Sequence, residues 1–154
     1  MCDTSSVDVI TIESTPKLKR PTLVAAFRGW NDAGGAASLA AGYLRAVTDA
    51  ERFAVIDPDP FIDYQQTRPS VTLEDGHVRS VEWPETEFLA AEPHDIVIVV
   101  GPEPNMRWRA YSDAICQLAR KMRVELVVTL GALLADTPHT RPVEIGRASC
   151  RERV

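Results

Sequence analysis

Apolar and polar positions change period several times along this chain, and each change marks an element. Thr22–Phe27 (TLVAAF) is a continuous apolar run of the kind a strand buried on both faces needs. It leads into Arg28-Gly29-Trp30-Asn31-Asp32-Ala33-Gly34-Gly35 and then into an Ala/Leu-rich stretch, Ala36–Val47. That stretch has high helix propensity and places Leu39, Tyr43, Leu44 and Val47 on one stripe. Phe53–Ile56 reads as a second strand, ended by Asp57-Pro58-Asp59-Pro60. Strand, helix and strand together predict a βαβ unit with a right-handed crossover.

Residues 71–83 break this rhythm. Asp75-Gly76 between VTLE and HVRS is a strong hairpin signal, and it sets Leu73 opposite Val78. Ile96–Val100 (IVIVV) is a third buried-type strand, stopped by Gly101-Pro102. From Met106, the residues Trp108, Tyr111, Ile115, Leu118 and Met122 recur at three- and four-residue steps, predicting an amphipathic helix to about Arg123. Leu126–Leu130 is a fourth strand of the buried type. The fold class expected is α/β, a mostly parallel sheet with flanking helices and a β-hairpin insertion. Residues 1–19 are polar and broken by Pro16, with a β-prone run at Val7–Ile12, and are expected to form an arm or an edge strand.

After Pro142 the periodicity stops. Glu144–Val154 reads EIGRASCRERV, a string that translated read-through of a short-read sequencing adapter would encode. Residues 144–154 are therefore expected to be a non-native tail, and residues 20–143 a partial domain, incomplete at its C-terminus.

Composition narrows the function classes. A hydrophobic share of 45% is too high for a disordered chain. A net charge of −5 and a pI of about 5.2 argue against nucleic acid or an anionic membrane as partner. The N-terminus has neither a basic region nor a long apolar run, so a cytoplasmic protein is expected. Cys2, Cys116 and Cys150 lack metal-ligand spacing, and His77, His94 and His139 are scattered, so neither a metal site nor a cofactor is expected. Cys116, one residue from the apolar stripe, is expected to be packed.

In a parallel sheet the loops at the carboxyl ends of the strands share one edge, where ligands usually bind. Gly29–Gly35, Gly101–Arg107 and Ala135–Thr140 should meet there, with Asp57–Asp63 alongside. Gly29-x4-Gly34 has P-loop glycine spacing, but Gly35-Ala36 stand where Lys and Ser/Thr are required, which argues against nucleotide hydrolysis by that route. A Gly-rich turn at a helix N-terminus can still hold an anion. The competing reading has Asn31 or Asp32 capping the helix while the glycines allow a tight turn. In the second loop Asn105 would cap the next helix, with Trp108 as a core anchor. The candidate ligand-binding set is Gly29, Asn31, Asp32, Gly34, Gly35, Glu103, Asn105, Asp136 and His139. Asp136 and His139 suggest an acid–base pair, but no nucleophile is placed for them, and no catalytic residue is assigned.

Four of these segments also carry a resemblance. RGWNDAG at 28–34, DPDPFIDY at 57–64, GPEPNMRW at 101–108 and GALLADTPHT at 131–140 together resemble the proteasome assembly chaperone 2 family, above all its actinobacterial members. The resemblance covers about residues 20–143 and implies a three-layer α/β fold. It also implies a non-enzymatic assembly or interaction protein, with protein partners such as proteasome subunits and a homo-oligomeric state at full length. Members of the family are also described as ATP-grasp-related. The alternative is a small-molecule or nucleotide-binding α/β protein, a ligase- or phosphorylase-like enzyme, resting on the polar groups that converge at the sheet edge. The two readings differ in whether those side chains point into one pocket or are engaged in caps and turns.

Overall fold

A computed structural model describes residues 9–75 and 77–148. The strands are β1 (Ile10–Ile12), β2 (Thr22–Arg28), β3 (Glu51–Ile56), β4 (Ser70–Glu74), β5 (His77–Glu82), β6 (Thr86–Ala91), β7 (Ile96–Pro102) and β8 (Leu126–Leu130), and the helices are α1 (Ala36–Thr48) and α2 (Trp108–Lys121). Six strands form one sheet in the order β1-β3-β6-β7-β2-β8. β7, β2 and β8 pair in parallel, while β1–β3, β3–β6 and β6–β7 are antiparallel. Followed through these pairings, β2, β3, β7 and β8 point the same way, and β1 and β6 oppose them.

The chain crosses from β2 through α1 to β3 in one direction along the sheet, and from β7 through α2 to β8 in the other. Crossovers of one hand running in opposite directions put their helices on opposite faces. The packing agrees. Leu23, Ala25, Phe88, Val97 and Val99 lie against Tyr111 and Leu118 of α2. The alternate residues Ala26, Leu89 and Ile98 lie against Ala37 and Ala41 of α1. The expected three-layer α/β fold is present. β1 is an edge strand on β3, so residues 10–12 of the N-terminal segment take the edge-strand form.

β6 has no counterpart in the periodicity. Its FLAA core is buried on both faces, so no alternation marks it, and its alanines have helix propensity. It separates β3 from β7 and turns that half of the sheet antiparallel.

Several expectations are corrected. On α1 the packed positions are Ala37 and Ala41, with Leu44 beside them, whereas Leu39, Tyr43 and Val47 face solvent. Small residues on the inner face bring the helix close to the sheet. β8 has the apolar run of a buried strand, but it lies at the sheet edge with one neighbour, and Leu126, Val127 and Val128 are exposed. On α2 the stripe holds from Tyr111 through Leu118, but Trp108 is exposed and is no core anchor. Cys116 is exposed rather than packed.

The hairpin forms as a separate two-stranded sheet, with Leu73 opposite Val78. Gly76 of its turn lies outside the described residues, and Asp75 beside it takes a φ of 51°. Residues 144–148 of the tail are exposed and without helix or strand, and 149–154 lie outside the described residues.

Candidate functional site

The turn 29–35, the segment 57–64 and the loop 101–107 meet at the carboxyl ends of the strands, but Ala135–Thr140 does not join them as expected: the chain leaving β8 is tied in at Gly131 and Ala132 and then runs out into solvent. β2 runs into the turn 29–35, whose Gly34 and Gly35 have φ of 64° and 70°, a conformation that side chains resist. This lets Asp32 reach forward to the start of α1. Its carboxylate accepts N–H bonds from Ala37 (2.8 Å) and Ser38 (3.2 Å) and the Ser38 hydroxyl at 2.5 Å. The Gly35 N–H goes to the Asp32 carbonyl and the Ala36 N–H to that of Ala33. The N–H groups that would hold an external anion are therefore engaged, and a carboxylate of the chain itself already meets the positive helix end. The Ser38 hydroxyl, the largest cause, holds the Asp32 carboxyl below its ordinary range, and the backbone N–H bonds add to it.

Asn31 and Gly29 serve close approach. Ala132 N–H donates to the Asn31 carbonyl and Ala33 N–H to that of Ala132, stitching the turn to the chain leaving β8. The Asn31 amide lies over Gly131, where a Cβ would come within 2.6 Å of it. Glu103 lies over Gly29 in the same way, and its Oε2 accepts the Trp30 N–H at 3.1 Å.

Asn105 does not cap α2, whose first residue is preceded by Arg107 with φ 52°. Instead its Oδ1 accepts the Asp63 N–H at 2.9 Å, while the N–H groups of Asn105 and Met106 both donate to the Phe61 carbonyl. Phe61 is buried edge-on against Tyr111 at 5.3 Å, with the Arg107 guanidinium 5.9 Å above its ring. The DPDPFIDY segment is thus clasped to GPEPNMRW. Beneath it the Tyr111 hydroxyl lies 2.8 Å from Thr86 Oγ1, and burial pushes the Tyr111 phenol up to about 12. Gly101 makes room for that pair, since a Cβ there would fall 2.3 Å from Thr86 Oγ1.

The structure brings Gly29, Asn31, Asp32, Gly34, Gly35, Glu103 and Asn105 to one end of the sheet. Asp136 and His139 lie in the exposed stretch beyond β8, and among the described residues no hydrogen bond joins their side chains to each other or to the rest. Two clefts open beside these loops. One, of about 380 Å³, is lined by Arg28, Glu82, Trp83, Glu85 and Glu87 with Val81 and Val100. The other, of about 200 Å³, shares Arg28 and Glu87 and extends to Ser38, Arg45 and Gly101. None of the nine candidate residues lines either cleft. Arg52 binds Glu85 and Glu87, and Arg45 also reaches Glu87, whereas Arg28 makes no ion pair among the described residues.

Large apolar side chains also stand free at this end. Trp30 is 83% exposed and Trp108 54%, and Met106 lies open between β7 and α2. The periodicity gives no warning of either tryptophan's exposure. The only sequence signal is a large aromatic within a Gly-rich turn and another beside two arginines. No helix among the described residues is long and apolar enough to cross a membrane, and no group of His, Cys, Asp and Glu among them is arranged to hold a metal ion.

The comparisons with known proteins bear on this arrangement. The PAC2 family model matches residues 26–154. The chain is similar to the proteasome-assembly chaperone homologue of Mycobacterium tuberculosis, with TM-score 0.74 and 46% identity over 79% of this chain and 53% of that one. It is similar also to a PAC2 family protein from Streptomyces avermitilis, with TM-score 0.67 and 42% identity over 79% of this chain and 54% of that one. A Corynebacterium glutamicum protein of unknown function aligns with TM-score 0.76 and 30% identity over 87% of this chain and 53% of that one. No curated protein matches. The chain thus spans about half the length of these structures. A family match across both helices and the strand-end loops, together with sequence identity of this order in a shared fold, places the chain in the PAC2 family.

Proposed function

We propose that the chain is a non-enzymatic assembly or interaction protein of the proteasome assembly chaperone type, acting in the cytoplasm on protein partners such as proteasome subunits. One observation carries the reading. Asp32, Glu103 and Asn105 are engaged by α1 and by the neighbouring strand-end loops, while Trp30, Met106 and Trp108 at the same end present large apolar surface to solvent. Aromatic anchors left open beside a rigid scaffold are the usual makings of a protein-binding surface. The similarity to a protein described as a proteasome-assembly chaperone homologue supports the choice of partner. The engagement of Asp32, Glu103 and Asn105 in caps and turns favours this reading over a small-molecule site.

The test is binding of the chain to purified proteasome α- and β-subunits, measured by calorimetry with the chain and its Trp30→Ala/Trp108→Ala variant. The expected result is binding that the double variant weakens at least tenfold, roughly the loss of one hot-spot contact, at unchanged thermal stability. Absence of binding to either subunit would sink the proposal.

A further inference from the structure

We infer that the cleft between the base of the β4–β5 hairpin and the sheet is a docking site for a basic, extended segment of a partner protein. A lysine or arginine side chain enters beside Trp83, and its apolar neighbours cover the open face of the hairpin. The inference rests on the interaction-protein reading but uses a different surface, and it names the chemistry that surface takes.

Aromatic surface and negative charge meet in this cleft. Its volume of about 380 Å³ is that of a small ligand pocket. Trp83 forms one wall, and Tyr64 packs edge-on against it at 5.0 Å. The indole is held in place yet stays 52% exposed. A cation beside an indole is attracted by the negative face of the ring, the more so where water is partly excluded. Carboxylates surround the aromatic pair. Glu82, Glu85 and Glu87 line the cleft, and the Tyr64 hydroxyl donates to Asp59 at 2.5 Å. Burial above all pushes the Tyr64 phenol up to about 12, and the Asp59 hydrogen bond and the charges of Asp59, Asp57 and Glu85 add to it.

The chain's own cations leave part of this charge unanswered. Arg52 is shared among Glu13 at 2.7 Å, Glu85 at 3.4 Å and Glu87 at 3.5 Å, and Arg45 reaches Glu87 at 3.4 Å. Glu82 has no ion pair among the described residues. Arg28 is common to this cleft and the smaller one, and its charge acts on Asp32. A net charge of −5 on the whole chain also steers basic partners toward it.

The hairpin supplies the apolar share. Val71 pairs with Val81 and Leu73 with Val78. The register shift between Thr72 and Leu73 places an extra residue on β5 and so sets both pairs on one face. These four side chains are 47–64% exposed. Val81 belongs to both the face and the cleft, which makes the two continuous. A two-stranded ribbon is marginal in water on its own, so a covering segment also steadies it. A small cation would leave the valines and Leu73 open, and a neutral or acidic segment would leave Glu82 unanswered. A polypeptide stretch with a basic residue among apolar ones satisfies both.

Fluorescence anisotropy on the 154-residue chain tests this with a labelled peptide that has a central arginine flanked by leucines. The expected result is saturable binding that weakens about tenfold when glutamine replaces the arginine, and further with glutamate. Serine in place of the leucines should weaken it as well. Glu82→Gln/Glu85→Gln should weaken the arginine peptide about fivefold and leave the glutamine peptide unaffected, a selectivity that misfolding would not produce. No binding of the arginine peptide overturns the inference, as does equal binding of the arginine and glutamine peptides or indifference to Glu82→Gln/Glu85→Gln. A serine-flanked peptide that binds as well as the leucine one would make the cleft a small-cation site and overturn it too. Self-association of the chain that excludes the peptide would assign the cleft to a second copy, with the same consequence. The peptides carry no proteasome sequence, so this test and subunit binding fail independently.

Discussion

Asp32 separates a structural from a ligand-binding role at the glycine-rich turn. Asp32→Ala removes an acceptor serving two N–H groups of the first turn of α1 and the Ser38 hydroxyl. Loss of a cap costs about 1 kcal/mol, and the charge-assisted character of these bonds raises the figure to about 2 kcal/mol. Partial exposure of Asp32 to solvent argues against more. For a chain of this length that is a fall in Tm of roughly 2–8 °C. Asp32→Asn, which keeps one acceptor oxygen without the charge, should lose about half as much. The pH dependence has a definite sign. Because the folded state holds the Asp32 carboxyl below its reference value of 3.8, its contribution is full above that pH and is lost as pH falls through the lower folded value. The stability difference between wild type and Asp32→Ala, measured by urea unfolding, should be flat from neutral pH to about 5 and shrink below about 4. A ligand-binding carboxylate would behave oppositely, its removal leaving stability unchanged or improved. An Asp32→Ala variant as stable as wild type, or a difference that persists unchanged in acid, would refute the capping argument.

Two further predictions concern the clasp beneath the site. Gly101→Ala should destabilise by roughly 2–3 kcal/mol, because its Cβ would fall 2.7 Å from the Thr86 Cα of the adjacent central strand, whereas Gly29→Ala meets only the Glu103 side chain and should cost about 1 kcal/mol; urea unfolding of both variants would contradict this if the order were reversed. Tyr111 and Tyr64, both pushed up to about 12, should titrate together as a late step in ultraviolet tyrosinate titration, and Tyr111→Phe should remove about half of its amplitude. The folded value of Tyr111 lies above the reference of 10.0, so the stability it confers is full below pH 10 and lost between there and about 12. At neutral pH Tyr111→Phe should cost about 1 kcal/mol by stranding the Thr86 hydroxyl. A titration identical in the two proteins would remove the argument.

Elements whose local pattern coincides with their environment were legible in the sequence. β2 and β7 are continuous apolar runs and lie inside the sheet, each with a strand on both sides. The Asp75-Gly76 signal and the Leu73–Val78 pairing follow from turn chemistry, which acts over a few residues. The meeting of the 29–35 and 101–107 loops was legible too, because parallel strands put their carboxyl ends on one side, whereas Ala135–Thr140 stays apart because the edge position of β8 leaves the chain after it nothing to pack on. The use of those loops was not, since whether Asp32 binds a ligand or its own helix depends on distances that spacing does not contain.

By itself, then, the sequence determined the α/β class, the buried strands β2 and β7, the hairpin and the family, all encoded in short-range periodicity and motif chemistry. Only the tertiary structure decided that β6 enters antiparallel between β3 and β7, that β8 stands exposed at an edge, and that α1 turns its alanines rather than Leu39, Tyr43 and Val47 to the sheet. The physical reason is the same in each case. Burial depends on which neighbours a residue acquires, and an apolar run at a sheet edge or on a helix flank has the same letters as one in the core.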